Sequence, residues 1–187
     1  LMNYWNETLK DDVYLLIEDG WVARTKRIIE KSKSGQEKDK GWTCDLIPKS
    51  LVIHRYLKDE KDKLTDLETQ LEQIETDISA LEEEHSAEDA AFGELDKINK
   101  TEVKRLIQSL KNEEKDLAMA AESDEAYGED HTNPLDIAEE WIRLHNKRAQ
   151  LKKDLKAQEK TLDDKTFEQY GKLTEDEVRQ LVIEDKW

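Results

Sequence analysis

Two stretches of apolar residues, spaced alternately four and three positions apart, constrain the fold of this chain more than any other feature. That spacing turns one stripe of side chains toward a neighbouring helix every 3.5 residues. The first stripe follows Pro48, whose fixed φ suits a helix start, and only Glu60 interrupts it. Its apolar members are Ile53, Leu57, Leu64, Leu67, Leu71, Ile74, Ile78 and Leu81.

The second stripe opens at Asn133-Pro134, a pattern typical of an N-cap followed by proline at the first helical position. It matches the first stripe in length, and the chain returns between them. We therefore predict a mainly α fold in which residues 51–169 form a long antiparallel coiled-coil helical hairpin. In that register Glu60 should contact Lys165 or Gln158. The apolar members of this stripe are Ile137, Trp141, Leu144, Leu151, Leu155 and Leu162.

The connection between the stripes carries weaker helical signals. Asn99 with Glu102 has the pattern of a helix cap, and apolar residues recur after it at helical spacing. We expect inserted short helices within residues 86–132 to cover the tip of the hairpin. The acidic stretch 122–132 is predicted to be a mobile loop.

Residues 1–50 are predicted to form a small N-terminal β-ribbon that leads into the helices. The apolar run 13–17 favours a strand, and Asp19-Gly20 supplies a hairpin turn because glycine accepts a positive φ. Ser34-Gly35 offers a second turn, so a three-stranded meander is an open alternative. A helix of one and a half turns over residues 11–17 is another.

Composition excludes several classes of protein. Hydrophobic residues make up 36% of the 187 residues and charged residues 41%, which favours long solvated helices with a narrow apolar seam. No apolar run approaches the roughly eighteen residues of a membrane span, and no leader precedes the first motif. The single Cys44 agrees with a reducing compartment. We expect a soluble, cytoplasmic protein without a membrane partner.

The charge distribution argues against nucleic-acid binding by this segment alone. The formal net charge is −16, whereas residues 24–40 carry seven basic and three acidic side chains. Negative charge repels phosphate, and DNA affinity depends on lysine and arginine releasing counterions. DNA contact is therefore expected only through an assembled complex. The basic residues of 24–40 have an equally good interpretation as protection of a sheet edge against aggregation.

No pattern in the chain predicts a catalytic, cofactor-binding or metal site. Glu82 and His85 have the spacing of two metal ligands on one helix face, but a di-metal bundle needs a second such pair and two further glutamates. No glycine-rich turn between a strand and a helix is available to hold a nucleotide. We expect no small-molecule ligand for this segment.

Residues 170–187 are predicted to form a C-terminal amphipathic helix. Thr174 can cap its N-terminus, and Glu177 three positions later completes a capping box. The order of residues here, ending in Glu-Asp-Lys-Trp, is more specific than a generic helix requires. Two other segments, Asp12–Trp21 and Lys40–Val52, are equally distinctive.

Taken together, these three segments resemble the C-terminal region of the DNA methyltransferase (modification) subunit of type I restriction–modification systems. The resemblance implies that the parent subunit carries an S-adenosylmethionine-dependent adenine-N6 methyltransferase domain. It also implies that the C-terminal helices dock the parent on the specificity subunit, which reads DNA, while restriction subunits complete the endonuclease. Because the chain opens on Leu1-Met2, we interpret it as a fragment that lacks the catalytic domain and is no enzyme alone.

Two functions therefore compete at this stage. The first is an assembly segment that binds the specificity subunit and possibly the restriction subunit; the second is a stand-alone coiled-coil scaffold. A simple coiled coil has no use for the Asp-Gly-Trp and Glu-Asp-Lys-Trp segments, which favours the first. Beyond the two apolar stripes, the residues predicted to pack on a partner are Phe167, Tyr170 and Trp187.

Overall fold

The computed structural model describes residues 9–31, 37–88, 90–120 and 133–187. Over these ranges the chain is mainly helical, with six α-helices and one antiparallel sheet of two strands, which confirms the mainly α class. The elements in chain order are α1 (Lys10–Asp19), β1 (Thr25–Lys31), β2 (Glu37–Cys44), α2 (Lys49–Tyr56), α3 (Lys58–Glu84), α4 (Lys100–Ala120), α5 (Pro134–Tyr170), α6 (Glu175–Gln180) and a π-helical segment (Leu181–Lys186).

The strand predicted over residues 13–17 is wrong, because this run forms α1. Burial follows the helical period: Asp12 is buried, and Leu15 and Leu16 pack half-buried on the core one turn later. Tyr14 and Ile17 stand exposed on the other side. The helical alternative is therefore correct. The sequence does not decide between the two, because five consecutive apolar residues fit the period of a strand and that of a helix.

The β-ribbon exists, but it lies later in the chain than the first predicted turn. Gly20, with φ of 73°, ends α1 and donates its N–H to Leu16 O, so Asp19-Gly20 is a helix terminus rather than a hairpin turn. Strands β1 and β2 pair antiparallel from Thr25 opposite Cys44 to Lys31 opposite Glu37. The second predicted turn, Ser34-Gly35, lies outside the described residues.

A β-bulge at Gly41 bends the ribbon. The register shifts between Arg27 and Ile29, so that β2 holds one more residue than β1 at this point. Gly41 adopts φ of 101°, which a side chain would strain. Asp39 holds the bulge, because its Oδ1 accepts from Gly41 N at 2.8 Å and its Oδ2 from Arg27 Nη1 at 3.2 Å.

Residues after Pro48 form two helices rather than the single one predicted. Helix α2 begins directly after Pro48, as expected, but Leu57 leaves helical geometry with φ of −129° and separates α2 from α3. In α2 the buried residue is Val52, whereas Ile53 is half-buried and outside the described core clusters. The break thus removes Ile53 from the predicted stripe.

Helices α4 and α5 begin at the N-caps that the sequence predicts. Asn99 Oδ1 accepts from Thr101 N at 3.0 Å and Glu102 N at 3.1 Å at the start of α4. Asn133 Oδ1 accepts from Leu135 N at 3.0 Å at the start of α5. Helix α4, with 21 residues, is longer than the short tip helices predicted. The loop predicted at 122–132 lies outside the described residues.

The chain divides into two compact units. Of the described residues, those up to 65 and from 157 to 187 form unit 1, and those from 66 to 156 form unit 2. Among the helices of the described residues, none has the combined length and apolar composition needed to cross a bilayer. The buried core of unit 1 consists of Trp42, Cys44, Leu46, Ile47, Val52, Tyr170, Val178, Leu181 and Val182. The two buried clusters of unit 2 consist of Phe92, Val103, Ile137, Ala138 and Trp141, and of Ile74, Ile78, Leu144 and Leu151.

The C-terminal region contains the predicted cap but not one continuous helix. Thr174 and Glu177 form the capping box of α6, as predicted. Helix α6 then widens into the π-helical segment, where Trp187 N donates to Val182 O, five residues back, at 3.0 Å. The wider turn lets Leu181 and Val182 both be fully buried.

We expect Thr174→Ala to lower the free energy of unfolding by about 1 kcal/mol, because it removes the acceptor for Glu177 N and half of the capping box. Urea unfolding followed by circular dichroism measures this change. Thr161→Ala is the matched control: Thr161 lies within α5, and its hydroxyl bonds only to Ala157 O. This control should leave stability unchanged or slightly raised. Equal effects of the two substitutions would contradict the capping role.

Candidate functional site

The three segments on which the family resemblance rests meet in the core of unit 1. Residues 12–21 supply Leu15, Leu16 and Trp21 from α1 and the turn after it. Residues 40–52 supply the end of β2 and the start of α2, and residues 170–187 supply α6 and the π-helical segment. Side chains separated by more than a hundred residues in sequence therefore share one cluster.

Asp12 joins the two ends of this cluster. Its side chain is almost entirely buried, and both carboxylate oxygens are occupied. Lys186 Nζ donates to Oδ1 at 2.7 Å, and Trp187 Nε1 donates to Oδ2 at 3.0 Å. Lys186 also donates to Leu46 O at 2.6 Å. A buried carboxylate needs such compensation, so Asp12 ties α1 to the last two residues of the chain.

Tyr170 fixes the end of α5 on the same core. It is buried, and its hydroxyl donates to Ile47 O at 2.7 Å. Burial raises the pKa of Tyr170 far above its usual value, so the hydroxyl remains a donor at all ordinary pH. Trp42 packs edge-on against it with ring centroids 5.0 Å apart, and against Phe167 at 5.2 Å.

Trp42 is itself held by charged groups. Its indole Nε1 donates to Asp163 Oδ2 at 2.9 Å, while Lys49 Nζ donates to Asp163 Oδ1 at 2.5 Å. The same ammonium group lies 3.8 Å from the centroid of a Trp42 ring, within the range of a cation–π contact. The arrangement orients the indole and binds β2 and α2 to α5.

Helix α2 also contacts the C-terminal region through ion pairs and a hydrogen bond. Arg55 forms ion pairs with Glu184 at 3.2 Å and Asp185 at 3.3 Å, and Tyr56 OH donates to Glu177 Oε1 at 3.3 Å. Together with the contact between Asp12 and Lys186, these contacts hold α6 and the π-helical segment on the rest of unit 1.

Cys44 is buried in the core of unit 1. Burial raises the pKa of its thiol, which favours the protonated form. Its exposure to a thiol reagent reports when unit 1 opens.

The predicted stripe residues fall into different environments. In unit 2, Ile74 and Ile78 of α3 pack with Leu144 and Leu151 of α5, and Leu67, Leu71 and Leu81 lie partly buried around them. Trp141 packs instead with Phe92 and Val103. In unit 1, Leu64 and Leu162 are buried. The residues that the structure leaves half-buried outside the described clusters are Ile53, Leu57 and Leu155.

The predicted contact of Glu60 is confirmed. Lys165 Nζ donates to Glu60 Oε1 at 2.6 Å, and Gln158 Nε2 donates to the Glu60 carbonyl at 3.4 Å. The hydrogen bond from Lys165 lowers the pKa of Glu60, which keeps the carboxylate charged. The polar interruption of the first stripe thus meets polar groups of α5.

The remaining predicted packing residues have mixed outcomes. Tyr170 is buried within unit 1, Trp187 is half-buried and held by Asp12, and Phe167 is 45% exposed beside Trp42. Sequence reasoning missed Asp12 and Phe92, which is buried in unit 2. Asp12 lies three and four positions before Leu15 and Leu16, a spacing that would place it on the buried face of a helix. The prediction of a strand over residues 13–17 does not use this spacing.

The basic ribbon is largely neutralised by its own acids. Most basic side chains of the described strands pair with carboxylates, so little of the positive charge of residues 24–40 is left unpaired there. Phosphate would have to displace these carboxylates. The ion pairs are Arg24 with Asp19, Lys26 with Asp45, Arg27 with Asp39, Lys31 with Glu37 and Lys40 with Glu30.

Within the ranges that the structure describes, no group of three or more His, Cys, Asp or Glu side chains is placed to hold a metal ion. Glu82 faces α5, where its Oε1 accepts from Trp141 Nε1 at 2.8 Å, and the His85 ring lies edge-on to Phe92. These two residues thus have packing partners in unit 2.

Comparisons of the chain with models of protein families, with curated proteins and with solved structures give no match.

We expect Asp12→Ala to lower the free energy of unit 1 opening by about 3 to 5 kcal/mol, because it leaves the largely buried Lys186 ammonium without its carboxylate. The reaction of Cys44 with a thiol reagent at increasing urea concentrations measures this opening.

Glu30→Gln is the control for this experiment, since it removes an exposed partner of Lys40 at 3.0 Å on the ribbon. It should leave the Cys44 reaction unchanged. A loss below about 1 kcal/mol for Asp12→Ala would show that Asp12 does not anchor the C-terminal residues.

Proposed function

We propose that this chain is the assembly segment of a type I restriction–modification DNA methyltransferase subunit and that it binds the specificity subunit. The parent subunit, by resemblance, methylates adenine N6 with S-adenosylmethionine, while this segment carries no catalytic role of its own. The restriction subunit is a further possible partner. DNA is reached only through the assembled complex, and the cell compartment is the cytoplasm.

The observation that carries the proposal is the convergence of the three resembling segments in unit 1. Asp12, Leu46 and Lys186 come one from each segment and make direct contacts across the chain, which supports the interpretation of the three segments as one structural element. Two residues of the Glu-Asp-Lys-Trp ending, Asp185 and Lys186, form ion pairs within unit 1. Such a folded end is what a defined docking element requires.

We further propose that α3 and α5 pair as an antiparallel coiled coil. Contacts within unit 2 support this, because Glu75 pairs with Lys152 at 2.8 Å while Glu82 contacts Trp141 at 2.8 Å. As the numbers rise along α3, they fall along α5. The Lys152 bond lowers the pKa of Glu75, which keeps this rim pair charged. The charged rims would set the register and limit the choice of partner helices.

The partner-facing surface of unit 1 is assigned to Phe167 and the residues around it. Phe167 is 45% exposed and packs edge-on against the buried Trp42. Tyr170 is unsuitable as a contact residue, because it is buried and bonded to Ile47. An aromatic residue that is half-exposed at the edge of a rigid core is a typical anchor for a binding partner.

We expect Phe167→Ala to weaken co-purification of the chain with the specificity subunit by roughly tenfold or more, as the loss of an aromatic anchor does. Titration of immobilised specificity subunit with each variant measures the Kd. Because Phe167 is already half-exposed, unit 1 should stay folded, which the unchanged Cys44 reaction verifies.

Ile29→Ala is the matched control, since Ile29 is 57% exposed on the ribbon and belongs to no described core cluster. It should bind as the unchanged chain does. If Ile29→Ala weakens binding and Phe167→Ala does not, the docking surface lies on the ribbon and the assignment of Phe167 is wrong.

The alternative function is a stand-alone coiled-coil scaffold, which the contacts between α3 and α5 in unit 2 would also suit. The two functions differ in what precedes Leu1. We expect the coding sequence upstream to contain a glycine-rich cofactor turn and an Asn-Pro-Pro-aromatic motif of an adenine methyltransferase. Further heptads or an unrelated domain at that position would favour the scaffold.

A further inference from the structure

His145 on α5 lies in a cluster that the proposed assembly role does not use. Its ring stacks on Trp141, with centroids 3.6 Å apart and planes inclined by 28°. Arg148 Nη2 lies 3.1 Å from Nδ1 and can only donate, so Nδ1 accepts and the ring proton of neutral His145 is on Nε2. That atom is buried without a hydrogen-bond partner.

The nearest acceptor for this Nε2 proton is Glu82 on α3. Glu82 Oε1 lies 3.7 Å away, too far for a hydrogen bond, and already accepts from Trp141 Nε1 at 2.8 Å. His145 therefore sits between a cation on its own helix and a carboxylate on the facing helix. The contact with Arg148 requires the neutral ring of His145, whereas an ion pair with Glu82 requires the protonated ring.

We propose that His145 is a proton-operated switch in unit 2 that exchanges Arg148 for Glu82 as its bonding partner. When Nδ1 takes up a proton from solvent, it can no longer accept from Arg148, and two cations would face each other at 3.1 Å. Arg148 then turns toward Glu75, whose charge it already stabilises. The imidazolium closes on Glu82 and replaces the long contact with an ion pair between α5 and α3.

The charged groups around the ring decide the pH at which this occurs. Arg148 on α5 and Lys100 on α4 oppose protonation, and Glu82 on α3 favours it. Burial, followed by Arg148, lowers the pKa of His145 below its ordinary value of 6.5. The unfolded chain thus takes up the proton first. Stability contributed by neutral His145 is complete above pH 6.5 and decreases as the pH falls through and below that value.

Nuclear magnetic resonance titration of the full chain tests the switch, with the His145 ring nitrogens and the Trp141 indole proton as readouts. We expect both signals to move together with a midpoint below 6.5. Arg148→Gln should raise the midpoint by roughly 0.5 pH unit or more, and Glu82→Gln should lower it by a similar amount. The carboxamide oxygen in Glu82→Gln can still accept from Trp141 Nε1, so the cluster should stay folded.

A buried histidine with only a packing role would respond differently. Its Trp141 signal would not follow the titration, or neither substitution would move the midpoint; opposite shifts alone follow from the charges of Arg148 and Glu82 and do not distinguish the two cases. Either result, or a midpoint at or above the ordinary value, overturns the proposal.

Discussion

The buried carboxylate of Asp12 is the contact on which the organisation of unit 1 depends. Its two oxygens accept hydrogen bonds from Lys186 and Trp187, which lie 174 and 175 positions later in the chain. Closing so long a loop adds little entropic cost beyond a shorter one, whereas an uncompensated buried charge is expensive. The chain therefore either brings Lys186 and Trp187 to Asp12 or leaves unit 1 open. This condition explains why distinctive residues stand at both ends of the sequence.

The two units share one feature in their small cores. Each buries one tryptophan whose indole N–H donates to a carboxylate on another segment: Trp42 to Asp163 in unit 1, and Trp141 to Glu82 in unit 2. A large apolar ring contributes most of the buried area, and the bonded carboxylate orients it. Because 41% of its residues are charged, the chain has few apolar side chains, and each of these two tryptophans lies in a small buried cluster.

Starts of helices were the features most accessible from the sequence. Asn99, Asn133 and Thr174 each bond to backbone groups two or three residues ahead, so a short window of sequence contains the whole interaction. The Glu60 contact was also predictable, because an acidic residue within an apolar stripe needs a polar partner. Residues 13–17 were not, since a run without polar residues has no period of its own and the core that packs on it selects the helix.

By itself, then, the sequence determined the helical class, the caps and the polar partner of Glu60, all of which follow from spacing along a helix. Only the tertiary structure decided that Asp12 is an anchor, that Tyr170 belongs to the core rather than to a partner surface, and that the last turn is π-helical. The physical reason is that these outcomes depend on groups more than a hundred positions apart. Desolvation and hydrogen bonding between such groups arise only when the folded chain brings them together.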